Sequence, residues 1–172
     1  SSVVSDSLSV TIQATSFTYD GVGNQTSLTQ TRTLYDGYGN IMGTETLFTE
    51  YQYDLESRLT KTIHPNGATS ETVYNAAGQV VRQTDPLGRA IEHSYDARGN
   101  RVRTDYSDGS HVVWAYDAEG RQLTVTHYSS SSVILQTSSF AYDANGRRTT
   151  AIHADGSLEH TTYDALGRVI AQ

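Results

Sequence analysis

Tyrosine recurs along this chain at Tyr19, Tyr35, Tyr53, Tyr74, Tyr95, Tyr116, Tyr142 and Tyr163, at intervals of 16, 18, 21, 21, 21, 26 and 21 residues. Seven of the eight are followed by aspartate (Asp20, Asp36, Asp54, Asp96, Asp117, Asp143 and Asp164), and the eighth by Asn75. Four residues after the tyrosine stand Gly23, Gly39, Gly78, Gly99, Gly120, Gly146 and Gly167, with Ser57 the one departure. Asn24, Asn40, Arg58, Gln79, Asn100, Arg121, Arg147 and Arg168 come next. A period of this kind marks an architecture that uses one supersecondary unit over and over.

Each place in the motif has a mechanical reason. Asp or Asn opening a tight turn accepts a bond from the backbone N–H two residues on. Glycine in the fourth place tolerates the left-handed conformation that returns the chain to its ladder. The motif predicts a strand end, a reversal and a strand start, with the tyrosine ring as the apolar surface of its strand. Midway turns appear at His64-Pro65-Asn66-Gly67, Asp85-Pro86-Leu87-Gly88, Ser107-Asp108-Gly109 and Ala154-Asp155-Gly156. Both prolines fall there, where a missing donor costs little. One period is expected to hold two strands of about six or seven residues. The 26-residue interval is expected to lengthen a loop at Ser129-Ser130-Ser131-Ser132.

Alternation supports the strands. Val112, Trp114 and Tyr116 share one parity, and Ile91, His93 and Tyr95 take the same places one period earlier. Val81, Val102, Leu123 and Ile170 form an apolar column, interrupted by Thr60 and Thr149. Such columns fit an antiparallel meander with one drier face. Serine and threonine supply 42 of the 172 residues, which suits a sheet with a wet face. No helical segment stands out. Leu8-Ser9-Val10-Thr11-Ile12 and the stretch from Gly43 to Tyr53 read as strand, with no midway turn before Tyr53. The organisation expected is a leading strand region over 1–18, irregular repeats over 19–73 and regular repeats of about 21 residues over 74–172.

Sixteen or so strands at about 4.8 Å would make a ribbon on the order of 75 Å long. Open sheets of that size curl or divide, and nothing in the sequence supplies a second layer of helices. Bare edges are sticky, so self-association through them is one expectation. The opening Ser1-Ser2-Val3-Val4 has no leader and neither terminus resembles a cap, so the chain reads as part of something larger.

The net charge of −7, with a single lysine (Lys61) against 11 arginines, argues against a nucleic-acid partner. No apolar run is long enough to predict a membrane-spanning helix. The absence of cysteine excludes disulfides and thiolate chemistry.

Tyr95-Asp96-Ala97-Arg98-Gly99-Asn100-Arg101-Val102, Tyr116-Asp117-Ala118-Glu119-Gly120-Arg121 and Tyr163-Asp164-Ala165-Leu166-Gly167-Arg168-Val169 resemble the YD repeat, also called the RHS repeat. The resemblance runs over roughly 15–172 and is strongest over 74–172. It implies an all-β fold, an antiparallel β-hairpin ribbon, curved or spiralling, forming part of a larger β-shell. In bacterial members of the family the shell typically encloses a variable C-terminal toxin, and related shells occur in animal adhesion proteins. The implied partners are the rest of the shell and an enclosed toxin polypeptide. The implied location is secreted, at the cell surface, or delivered by a bacterial secretion system. The self-cleaving core that follows the repeats in bacterial members is not recognisable here, and Asp85-Pro86-Leu87-Gly88-Arg89 reads as a turn.

The reading favoured is a non-catalytic structural segment of such a shell, with no cofactor and no metal. An adhesion or carbohydrate-binding module is the first alternative, and a catalytic domain on a β-scaffold the second. The turn accounts for the repeat aspartates, and Asp105 and Asp108 make a thin pair. His64, His93, His111, His127, His153 and His160 lack metal-ligand spacing. His93 is expected to stack in the column of Trp114, and His111 and His160 to lie on the wetter face. Trp114 and the repeat tyrosines are read as packing residues.

Overall fold

The computed structural model describes residues 9–172, with side chains from residue 14; the first eight residues of the leading region lie outside it. The chain divides into two compact units, one of residues up to Val73 with Thr84–Gly88, the other of Tyr74–Gln83 with Arg89–Gln172. No helix occurs among the described residues, and none is therefore long and apolar enough to cross a membrane.

In the first unit, β1 (Ser9–Tyr19), β2 (Gln25–Tyr35), β3 (Ile41–Tyr53), β4 (Leu59–Ile63) and β5 (Thr69–Tyr74) follow one another as neighbours. The second holds β6 (Val80–Thr84), β7 (Ala90–Tyr95), β8 (Arg101–Tyr106), β9 (His111–Tyr116), β10 (Gln122–Tyr128), β11 (Ile134–Tyr142), β12 (Arg148–Ile152) and β13 (Leu158–His160), again in chain order. A separate pair, β14 (Thr162–Tyr163) and β15 (Val169–Ala171), closes the chain. Each repeat tyrosine is the last residue of its strand. The observed architecture is an all-β, antiparallel repeat meander.

The described residues form fifteen strands, in keeping with the sixteen or so expected, and the first three are 11, 11 and 13 residues long. Each of the two short tyrosine intervals holds one strand, in line with the missing midway turn before Tyr53. One expectation on strand layout needs correction: Ser129–Ser132 is no lengthened loop. Ser132 N–H donates to Ser129 C=O at 2.9 Å, and Ser132 takes the left-handed place of glycine at φ 58°. The added residues of that interval extend β10 and β11 to 7 and 9 residues.

The core is thin. Among the described residues Val112 and Ala151 are the buried hydrophobic ones, and Ser27, Thr33, Thr104, His111 and Thr161 are the buried polar ones. Small polar side chains suffice where one layer of sheet covers itself only through neighbouring strands. Thr33 Oγ1 is buried without a partner among the described residues.

Candidate functional site

The repeated Tyr-Asp turn is the most regular side-chain constellation in the molecule. In all eight copies the residue at the glycine place donates its N–H to the first turn residue's C=O at 3.0–3.2 Å. The seven glycines hold φ between +78° and +96°, the pattern of a type I turn followed by a bulge. Ser57 adopts φ 61° and makes the same turn without glycine. Each first residue accepts through Oδ1 from the N–H groups two and four places on, at 2.8–3.0 Å; Asp20, with Val22 and Asn24, is one instance.

The residue after the glycine place completes the clamp. Asn24, Asn40 and Asn100 donate to Oδ2 of Asp20, Asp36 and Asp96 at 2.9–3.0 Å. Arg58, Arg121, Arg147 and Arg168 do so from Nε to Asp54, Asp117, Asp143 and Asp164 at 2.6–2.7 Å. In the exceptional copy the roles reverse, with Asn75 donating to Gln79 Oε1 at 2.9 Å. These bonds favour the ionised carboxylates. Side-chain donation from Asn24, Asn40 and Asn100 holds Asp20, Asp36 and Asp96 below the ordinary aspartate value. At Asp54 and Asp117 desolvation raises the pKa but is outweighed by bonds from Arg58 and Arg121. Backbone donation from Arg147 and Arg168 leads the lowering at Asp143 and Asp164.

Successive copies lock to one another. The hydroxyls of Tyr53, Tyr95, Tyr116, Tyr142 and Tyr163 donate to the carbonyls of Gln25, Val80, Arg101, Gln122 and Arg148 at 2.7–3.0 Å. Each acceptor lies six residues after the tyrosine of an earlier turn. In the other direction, the guanidinium groups of Arg121 and Arg147 lie 4.8 and 4.6 Å from the ring centroids of Tyr142 and Tyr163. Their Nη1 atoms also reach Asp143 and Asp164 C=O, each at 3.3 Å. Gln79 bonds Gly99 C=O at 2.9 Å, and Arg98 donates to Ala118 C=O.

A register shift that the repeat pattern did not reveal accompanies the turns. Tyr95 pairs with Arg101 while Ser94 pairs with Arg103, leaving Val102 as an extra, bulged residue. Thr26, Met42, Thr60, Leu123, Thr149 and Ile170 occupy the same place in other hairpins. Val102, Leu123 and Ile170 of the apolar column thus fall on bulges, and Ile170 is 66% exposed. The threonines that interrupt it have a use there: Thr60 and Thr149 donate to Gln52 and Ala141 C=O at 3.1 and 3.3 Å. The glycine in the fourth place was the available signal, because a type I turn followed by a left-handed residue carries a bulge.

Other predicted positions fall differently. His111 is buried, not on the wetter face, because it stacks on its cross-strand partner Tyr128 at 4.5 Å between ring centroids. His160 is exposed. His93 Nδ1 bonds Thr104 Oγ1 at 2.8 Å instead of stacking on a ring; burial, then nearby Arg101, lowers its pKa. Trp114 lies under the Arg101 guanidinium at 4.8 Å. Asp105 is held by Arg103 at 2.6 Å, and Asp108 accepts from Ser110 N–H at 2.9 Å. In the midway turns Asn66, Asp108 and Asp155 accept from the third place rather than the first. Among the described residues no group of three or more His, Asp or Glu is placed to hold a metal.

Residues 74–111 and 116–158 match the family model of the RHS repeat, and over that stretch the chain is similar to the RHS/YD repeat. Among solved structures, TcdB2-TccC3-Cdc42 is similar over 88% of this chain and 9% of its own, with 17% identity and a TM-score of 0.63. TcdB2-TccC3-TEV is similar over 88% and 8%, with 18% identity and a TM-score of 0.62. The Photorhabdus luminescens Tc holotoxin pore is similar over 86% and 8%, with 18% identity and a TM-score of 0.60. At these identities the likeness is one of fold, and this chain spans under a tenth of the length of those chains. No curated protein matches the chain.

Proposed function

We propose that this chain is a non-catalytic wall segment of an RHS-repeat shell that encloses or scaffolds a toxin or another polypeptide cargo. The observation that carries this reading is the turn-to-turn locking, in which Tyr95, Tyr116, Tyr142 and Tyr163 each bond the hairpin before them. Its regularity across nearly the whole array leaves the Tyr-Asp-x-x-Gly positions with a structural role and no carboxylate free for chemistry. Their bonds join hairpins into a continuous wall, and containment requires a wall without gaps. The fold shared with TcdB2-TccC3 supports placing the segment in a larger, curving shell. Its partners are then the remaining repeats and the enclosed polypeptide, in a bacterial toxin system that acts outside the producing cell.

Limited proteolysis of the full gene product, mapped by mass spectrometry, tests this. A cargo segment resistant in the intact protein and cut once Gly99→Val and Gly120→Val open the wall is the expected result. A product in which every segment outside the array is cut at once overturns it.

A further inference from the structure

One row of side chains crosses the second unit from β7 to β10. His93 of β7 pairs with Thr104 of β8, Thr104 with Val112 of β9, and Val112 with His127 of β10. His93 Nδ1 is bonded to Thr104 Oγ1 at 2.8 Å, and Thr104 is only 2% exposed. The same ring borders an open groove of about 680 Å³, together with Val81, Tyr95, Asn75 and Gln79, so protons reach it from solvent. Arg101 of β8 acts on His93 as a neighbouring cation. Its guanidinium lies over Trp114 of β9 at 4.8 Å, and its C=O accepts from the Tyr116 hydroxyl at 3.0 Å.

The carboxylates around this row are already engaged. Asp96 borders the groove, but Oδ1 accepts from the N–H groups of Arg98 and Asn100, and Oδ2 from Asn100 Nδ2. Arg98, on the same rim, donates to Ala118 C=O. Glu92 and Asp105, next along β7 and β8, lie on the opposite face, where Arg82 and Arg103 bind them.

We propose that His93 is an acid-sensitive switch within the sheet, neutral and bonded to Thr104 near pH 7, and charged in an acidified compartment. A proton taken up by its ring sets a second cation beside Arg101 in a partly buried place, and the Arg101 guanidinium leaves Trp114. Repulsion of this kind is stronger there than in water. Burial, then Arg101, holds His93 below the ordinary histidine value. Its contribution to stability is complete above the unfolded value of about 6.5 and is lost as pH falls from there to the lower folded value. The repeat aspartates titrate below about pH 4, so this place loosens before acid reaches the turns. The inference rests on β7, β8 and β9 and not on containment; protection of a cargo is read separately by proteolysis.

Trp114 is the single tryptophan of the chain and reports the step. Its fluorescence, followed from about pH 8 to about pH 5, is expected to change in one sigmoidal step with a midpoint below about 6.5. The step is absent from His93→Gln, which keeps a polar side chain opposite Thr104 but does not titrate. It remains in His127→Gln, whose histidine stands on the same face. The urea midpoint of the parent falls between about pH 7 and about pH 5, and that of His93→Gln falls less. Far-UV circular dichroism checks that both variants are folded. If His93→Gln does not fold, the His93 ring resonances of the unaltered chain supply the titration midpoint by NMR. No step in the parent, a step that survives His93→Gln, a step abolished by His127→Gln, or an NMR midpoint at or above about 6.5 overturns the proposal.

Discussion

The stretch from Tyr19 to Tyr53 and the stretch from Tyr74 onward use the same turn with different spacing. In the first, a single strand of 11 or 13 residues fills each interval, so consecutive Tyr-Asp turns lie at opposite ends of the strands. In the second, each interval runs out to a midway turn and back, as two strands or, in the last interval, as β12 followed by β13 and β14, so every Tyr-Asp turn lies at the same end. Tyr53 accordingly bonds Gln25, after the turn of Tyr19, and passes over the nearer turn of Tyr35. Asn24 likewise reaches Ser57 Oγ at 3.1 Å. Locking follows the number of strands between turns, not the number of residues.

Acid tests both stretches at once and is expected to have the largest effect. The seven repeat aspartates have folded-state pKa values below their unfolded ones. Their contribution is present above the unfolded value of about 3.9 and is lost as pH falls through the lower folded values. The urea midpoint should therefore drop below about pH 4, while the Asn75 turn, which does not titrate, keeps its amide-exchange protection longest. Uniform loss of protection at every turn would break the link to the carboxylates.

Single substitutions sharpen the contrast. Gly120→Val forces a β-branched residue to φ 81° and should cost about 2 kcal/mol in urea unfolding. Tyr95→Phe and Tyr53→Phe each remove a part-buried hydroxyl-to-carbonyl bond and should cost about 1 kcal/mol. Tyr35 has no such acceptor among the described residues, so Tyr35→Phe should leave the midpoint unchanged. An equal loss at Tyr35 would refute the strand-count rule. Thr33→Val removes a buried hydroxyl without a partner and should raise stability by about 1 kcal/mol. Ser57→Gly relieves a left-handed serine but gives up its contact with Asn24, for a gain of about 0.5 kcal/mol.

The all-β class, the turn positions and the likeness to the RHS repeat were legible in the sequence because each turn is set by four or five adjacent residues. Asp117 finds its donors within its own turn, and Gly120 needs only its own backbone freedom. The bulges at Val102 and Leu123, the acceptor of each tyrosine hydroxyl and the burial of His111 depend on which strand lies alongside. A strand's neighbour depends on how many strands separate two turns. Residue spacing alone did not reveal that Ser132 would stand in for a glycine. The sequence by itself determined where this chain reverses, through local hydrogen bonds and backbone freedom. Only the tertiary structure decided what each reversal touches, because cross-strand register is a property of paired strands and not of either one alone.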